Sequence, residues 1–102
     1  MAKGYWVGQI VVHDLKQYQA YRAANAEAFA KYGAKFLIRG GEQTIVEGQA
    51  NPRTVVIEFK DVATAQACYD SPEYQAAKAL RDPVSGCVSK VVEIDFRHLR
   101  AG

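Results

Sequence analysis

Hydrophobic and polar positions alternate along the segments 5–13 and 53–59, which are rich in β-branched and aromatic residues. This two-residue period predicts β-strands, because successive side chains of a strand point to opposite faces. Segment 53–59 has one strongly apolar face, formed by Val55, Ile57 and Phe59. Segment 5–13 has two apolar faces, one with Trp6, Ile10 and Val12, the other with Tyr5, Val7, Gln9 and Val11. One layer of helices covers only one face of a sheet, so we expect a partner on the other.

After residue 14 the apolar residues recur every three or four positions, which is the spacing of an α-helix. A helix is predicted over residues 15–32, with Asp14 as its N-cap and Gly33 as its C-terminal stop. Residues three and four apart place one row on a common face: Leu15, Tyr18, Arg22, Asn25, Phe29 and Tyr32.

Arg22 and Asn25 lie in the middle of this otherwise apolar face. One interpretation is that the stem of Arg22 covers the core while its charged head reaches water. The other is that both polar groups line a cavity between helix and sheet, since polar groups on a core face require hydrogen-bond partners. The pattern leaves both open.

The second half of the chain contains a broken helix and a last strand. Asp61 is the predicted N-cap of a helix over 62–69, and Ser71 caps a second helix that begins at Pro72 and stops at Asp82-Pro83. One side of that second helix carries Tyr74, Ala77, Leu80 and Arg81. The final strand is predicted to place Val92, Ile94 and Phe96 on one face, opposite Val91, Glu93 and Asp95.

Between the two halves, the segment 34–48 is predicted to be a kinked strand. It runs over 34–38, breaks at Gly40-Gly41, where glycine permits positive φ, and continues over 43–47. Arg39 and Glu47 then lie at the two ends of the kink, where they could face one small space. The alternatives are a hairpin whose end charges face water, and an ion pair that only holds the kink.

The order of elements is strand, helix, kinked strand, strand, broken helix, strand. With right-handed crossovers this predicts an α+β fold, a ferredoxin-like βαββαβ sandwich with a four-stranded antiparallel sheet, as one domain over residues 1–102. The sheet face that the helices leave bare is too apolar for water, so we predict a homodimer that packs sheet against sheet.

Composition narrows the function classes. The 102 residues carry a formal charge of +2, with 24% charged and 49% hydrophobic residues, which is ordinary for a soluble domain and argues against nucleic acid and membrane partners. The strand 53–59 also lacks the glycine and the paired aromatic residues with which ferredoxin-like RNA-binding modules stack bases. The N-terminal apolar run is too short and polar for a signal peptide or a membrane span, and we expect a cytoplasmic protein with Cys68 and Cys87 reduced.

No metal site or cofactor is predicted. His13 and His98 stand alone, the two cysteines have no metal-binding spacing, and the chain has neither a P-loop nor a dinucleotide-binding glycine motif. The basic tail of Arg97, His98 and Arg100 is interpreted as a solvated end.

The remaining polar residues on core faces and at element ends form the candidate site. We predict that a small anionic or aromatic molecule binds to five of them: Arg22, Asn25, Arg39, Tyr74 and Arg81. Arginine suits this role because its planar fork binds carboxylates through two hydrogen bonds. The candidate proton-transfer groups are His13 and Glu47. Each residue also has a structural interpretation, such as an arginine paired with a nearby glutamate.

Several segments together resemble a known family: Gly4-Tyr5, the helix with Tyr18 and Tyr21, Arg39-Gly40-Gly41, Glu47-Gly48, Val56-Ile57-Glu58-Phe59, and Tyr69-Asp-Ser-Pro-Glu-Tyr74 with Arg81. This pattern is similar to that of the small bacterial proteins catalogued as domain of unknown function thirteen-thirty, in the dimeric α/β-barrel superfamily. The similarity extends to about Phe96. The chain departs from the family at Gly33-Ala34, where a glycine pair is usual.

The resemblance implies a ferredoxin-like protomer whose sheet closes a barrel with that of a second copy. Superfamily relatives include cofactor-independent monooxygenases of aromatic substrates, haem proteins and small isomerases, many with a pocket between sheet and helices. The resulting hypothesis is a small-molecule-binding homodimer, with a monooxygenase-like or isomerase-like enzyme as its catalytic form. The alternative is a non-catalytic binding or stress-related dimer.

Overall fold

The computed structural model describes residues 2–93, which form one four-stranded antiparallel sheet with helices packed on one face. The elements are β1 (Gly4–Val12), α1 (Leu15–Lys31), β2 (Lys35–Arg39), β3 (Arg53–Phe59), α2 (Val62–Asp70), α3 (Pro72–Arg81), a 3-10 turn (Asp82–Val84) and β4 (Ser85–Glu93). The strand order is β2-β3-β1-β4. This is the predicted ferredoxin-like arrangement, which the structure confirms.

The predicted helix caps are present. The Asp14 side chain accepts a hydrogen bond from the Gln17 backbone N–H at 3.1 Å, and that of Asp61 accepts from Thr64 at 2.7 Å. These bonds satisfy backbone donors that the first turn of a helix leaves unpaired. At the other end of α1, Gly33 adopts a φ of +67°.

Ser71 joins α2 to α3. Its hydroxyl accepts from the Tyr74 backbone N–H at 3.1 Å and donates to the Cys68 carbonyl at 2.7 Å. One buried side chain therefore ends the first helix and starts the second. The break places Tyr74 and Arg81 on the side of α3 that faces the sheet.

The core lies between the helices and the inner face of the sheet. Trp6 is at its centre: it pairs with Ile57 on β3 and Val91 on β4, and its indole N–H donates to the Ala65 carbonyl at 2.8 Å. Cys68 is fully buried, as expected of a cysteine packed as a small apolar group. No helix within residues 2–93 is both long and apolar enough to cross a lipid bilayer.

The outer face of the sheet carries the second apolar row predicted for β1. Val7 and Val11 lie on this face. The strand register places Val56 on β3 and Val88 and Val92 on β4 on the same face. Val88 is 65% exposed. None of the described helices packs on this face, which is consistent with the need for a partner there.

The predicted continuation of the second strand over 43–47 is wrong. Residues 40–52 contain neither helix nor strand, and side chains hold the base of this loop instead. The Gln43 amide donates to the Asn51 carbonyl at 2.8 Å and accepts from the Thr54 hydroxyl at 2.6 Å. The Gln43 side chain thus finds its hydrogen-bond partners within a loop and at the start of β3, and not in a strand pairing.

Two apolar residues assigned to core faces are also exposed, Leu15 by 63% and Leu80 by 36%. Leu15 is the first residue of α1, and the buried residues of this helix begin only at Tyr18 and include Tyr21 and Ala28. The last strand begins at Ser85 and faces the core with Val91, while the predicted positions Ile94, Asp95 and Phe96 and the basic tail lie outside the described residues.

Candidate functional site

A cavity lies between α1, α3 and the inner face of the sheet. The volume that the centre of a water molecule can reach is about 50 Å³, enough for a few water molecules, and the empty space including its opening to solvent is about 540 Å³. The enclosed part of the cavity is therefore small, and most of the empty space lies at its open side. A bound organic molecule must therefore extend through the open side.

All five residues predicted to bind a ligand line this cavity: Arg22, Asn25, Arg39, Tyr74 and Arg81. They come from three different elements, α1, β2 and α3. The remaining lining residues are Trp6, Gly8, Ile10, Tyr18, Tyr21, Phe29, Phe36, Arg53, Val55, Ile57, Cys87 and Ser89. The structure thus brings the five together, and their role in binding remains a prediction.

The lining contains four arginines and no carboxylate. Of these four arginines, only Arg81 forms an ion pair within the described residues, with Asp82 at 3.5 Å. The side chain of Arg81 is 6% exposed, so this cation is buried. Arg39 stacks instead on the ring of Phe36, with its guanidinium carbon 4.2 Å from the ring centre. This excess of positive charge in a partly enclosed space would favour an anion over a cation.

Arg53 is the lining arginine that the sequence reasoning missed. It opens β3, and its Nε atom is buried with no hydrogen-bond partner among the described residues. The alternating pattern could have identified it. Arg53 lies two residues before Val55, in the same alternating series as Ile57 and Phe59, so a strand that begins at residue 53 places Arg53 on the core face.

Tyr21 and Tyr74 form the buried floor of the cavity. Their hydroxyl oxygens lie 2.8 Å apart, and the two side chains are 8% and 3% exposed. Burial and the adjacent Tyr21 raise the pKa of Tyr74 above its ordinary value, so its hydroxyl stays protonated at neutral pH. The guanidinium of Arg81 lies 5.5 Å from the centre of the Tyr21 ring. The floor therefore combines a pair of hydrogen-bonded hydroxyl groups with a buried cation.

Asn25 is a second lining residue with a buried, unpaired side-chain atom. The residue is 5% exposed, and its Oδ1 atom is buried without a hydrogen-bond partner among residues 2–93. A buried amide oxygen normally accepts at least one hydrogen bond. This acceptor is therefore open to a donor from a water molecule or a ligand in the cavity.

The two cysteines differ in their surroundings. Burial raises the pKa of the Cys68 thiol to about 12, so Cys68 is not ionised at neutral pH. Cys68 is not among the residues that line the cavity. Cys87 lines the cavity, with its sulfur 2.9 Å from the Ser89 hydroxyl oxygen. Both thiols are free.

The two proposed proton-transfer residues do not line the cavity. His13 is exposed just after β1, and Glu47 is exposed in the loop after β2. Glu47 was placed near Arg39 by assuming a strand over 43–47, and the loop removes that constraint. Within the described part of the chain, no group of three metal-binding side chains converges on a common point.

A second depression lies beside α2 and β4, on the other side of Trp6. It is larger, about 340 Å³, and its lining contains one charged residue, Lys90. It lacks the convergent arginines and the unpaired buried amide of the first. We therefore assign the candidate site to the arginine-lined cavity.

Solved structures with the same fold come from several bacteria. A protein of unknown function from Rhodopseudomonas palustris has a TM-score of 0.70 at 15% identity, with 91% of this chain and 81% of that chain covered. A dimeric ferredoxin-like protein of unknown function from Thermobifida fusca has a TM-score of 0.62 at 16% identity, with 91% and 92% covered. At these identities the likeness establishes the fold alone.

A third relative has a described activity. SnoaB from Streptomyces nogalater, a cofactor-independent oxygenase, has a TM-score of 0.60 at 12% identity, with 93% of this chain and 95% of that chain covered. None of the curated proteins matches this chain significantly. A family model, by contrast, matches residues 3–94, almost the whole chain. The protein therefore belongs to the family described as Domain of unknown function (DUF1330).

Proposed function

We propose that this protein binds a small organic anion with an aromatic or apolar part in the cavity between its sheet and helices. The observation that carries the proposal is the cavity lining itself: four arginines, aromatic walls and no carboxylate. An anion would offset the repulsion among the arginines, and its apolar part would pack against rings such as Trp6 and Phe36.

The arginines differ in what they offer a ligand. Arg39 and Arg53 flank the loop between β2 and β3, and Arg22 projects from α1, so these three approach from two layers of the fold. None of them has an ion pair within the described residues. Forked guanidinium groups from two layers suit a planar carboxylate, which accepts two parallel hydrogen bonds from one arginine.

We further propose that the functional form is a cytoplasmic homodimer with one cavity in each protomer. The apolar outer face of the sheet supports this, as does the description of the Thermobifida fusca relative as dimeric. Free Cys68 and Cys87 thiols fit the location. Light scattering at micromolar concentration tests the assembly: a stable monomer would contradict it.

Thermal denaturation with benzoate as the probe tests the anion site. A ligand at about a hundred times its dissociation constant adds roughly 2.7 kcal/mol to the free energy of unfolding, a shift on the order of 10 °C for a domain of this size. The shift should fall sharply in Arg39→Gln and Arg53→Gln. The matched control is Lys60→Gln, which removes one exposed positive charge far from the cavity lining and should retain the full shift.

A catalytic role is the second candidate function, and the fold shared with SnoaB favours an oxidation without cofactor. The lining offers tyrosine hydroxyls and the Cys87 thiol, but no carboxylate or imidazole for proton transfer. Oxygen uptake by the purified protein with a phenolic substrate tests this role. Uptake that saturates with substrate and is lost in Arg53→Gln would support an enzyme, whereas binding without uptake would support a non-catalytic dimer.

A further inference from the structure

Asn25 is the starting point, because its amide oxygen is the most deeply buried unpaired acceptor in the cavity lining. The residue is 5% exposed and lies on the sheet-facing side of α1. Its Oδ1 atom accepts no hydrogen bond from the described residues. Leaving a buried acceptor unpaired costs stability, which a suitable donor would restore.

The surroundings restrict what that donor can be. Four arginines share the lining, so a charged amine would be repelled. A neutral hydroxyl is therefore favoured over an ammonium group. A molecule whose anionic group faces the arginines can itself carry this hydroxyl, since both features lie in one cavity.

The spacing on α1 restricts the ligand further. Asn25 follows Arg22 by three residues, so their Cβ atoms lie about 5–6 Å apart on one helix face. One small ligand can therefore contact both side chains. A single aromatic ring that carries a carboxylate and a hydroxyl group is large enough for this.

We propose that the ligand is a hydroxylated aromatic acid, whose hydroxyl donates to Asn25 Oδ1 while its carboxylate binds the arginines. Asn25 is then the specificity-determining residue of the site. This inference rests on the proposed anion-binding function and adds the substrate class to it. A site that provides an acceptor for a hydroxyl discriminates against molecules that lack it, because the acceptor is otherwise left buried and unpaired.

Three probes of similar size test the proposal: benzoate, 3-hydroxybenzoate and 3-methylbenzoate. Dissociation constants are measured by calorimetry for the wild type and for Asn25→Leu, whose apolar side chain has the same branched shape. We expect the wild type to bind 3-hydroxybenzoate about tenfold more tightly than 3-methylbenzoate. In Asn25→Leu the preference should vanish, with 3-methylbenzoate bound as well as before or better.

The outcomes separate the two proposals. If all three probes bind the wild type equally and binding depends on Arg53, the anion site stands and the hydroxyl specificity is wrong. If the preference for 3-hydroxybenzoate persists in Asn25→Leu, another group recognises the hydroxyl and the assignment to Asn25 is wrong. If no probe binds, both proposals fail. Should Asn25→Leu not fold, Asn25→Ala takes its place, and the wild-type ratio alone still decides whether a hydroxyl is recognised.

Discussion

The hydroxyl oxygens of Tyr21 and Tyr74 lie 2.8 Å apart and join α1 to α3 at the buried floor of the cavity. The two residues are 53 positions apart in the chain, and neither ring has more than a tenth of its surface exposed. This hydrogen bond is therefore a long-range tie between the two main helices, and it also defines the polar end of the cavity.

Removing both of these hydroxyls should cost less than the two single removals added together. Tyr21→Phe and Tyr74→Phe each leave the other hydroxyl buried without its partner, at a cost of about 1–3 kcal/mol in the free energy of unfolding. The double variant removes both groups, so its loss should be well below the sum of the single losses. Urea denaturation of the four proteins measures this cycle. Additive losses would mean that the two hydroxyls do not interact in solution.

Replacing Arg53 should stabilise the protein while weakening its ligand binding. Arg53→Met removes a buried unpaired Nε donor and one of four like charges around the cavity. We expect a gain of about 1 kcal/mol, or a rise in Tm of about 4 °C, together with loss of the benzoate-induced shift. The control Lys60→Met removes the same charge from an exposed site and should change neither quantity. A destabilised Arg53→Met would show that Arg53 has a structural partner instead.

Alanine substitutions at two neighbouring glycines should distinguish the effect of backbone strain from the effect of a disturbed binding site. Gly40 and Gly41 have φ values of +78° and +95°, so alanine at either position should cost about 1–3 kcal/mol. A Cβ atom at Gly40 would overlap the guanidinium of Arg53, whereas one at Gly41 meets nothing within 4 Å. Benzoate titration of both variants should therefore show weakened binding only for Gly40→Ala. Equal affinities would contradict the position of Arg53.

The loss of stability on acidification should depend in part on Glu73. Lys31 Nζ donates to this carboxylate at 2.9 Å and lowers its pKa below the ordinary value. A carboxylate with a lowered pKa stabilises the fold above its unfolded-state pKa, near 4.3, and this contribution disappears as the pH falls through the folded-state value. Glu73→Gln should therefore be less stable than the wild type at pH 7 and equally stable at about pH 2. Glu42→Gln, an exposed change of the same charge without an ion pair in the described region, should follow the wild type at both pH values.

The features predicted correctly from sequence are those with local causes. Asp14, Asp61 and Ser71 cap the helices they were expected to cap, because a cap bonds to a backbone N–H only three residues away. The alternation in β1 and β3 identified the inner and outer faces of the sheet, because side-chain direction along a strand is set by the strand itself.

The errors occur where local patterns compete with distant partners. Residues 43–47 have the composition of a strand, yet the Gln43 side chain bonds to Asn51 and Thr54 and keeps the segment in a loop. Leu15 has the correct helical spacing for the core, but it lies one turn before Tyr18, the first buried residue of α1. In neither case does the sequence nearby indicate where the packing surface ends.

The sequence predicted the order of elements, their caps and the two faces of the sheet, since hydrogen bonds and side-chain periods over a few residues set these. It also placed Arg22 and Asn25 on the core-facing row of α1 but left open whether they line a cavity. The packing of distant elements brings Arg53 beside them, leaves Glu47 and His13 outside the cavity lining, and joins Tyr21 to Tyr74. Those relationships depend on how strands and helices far apart in the chain align, and the packing of the whole core sets that alignment.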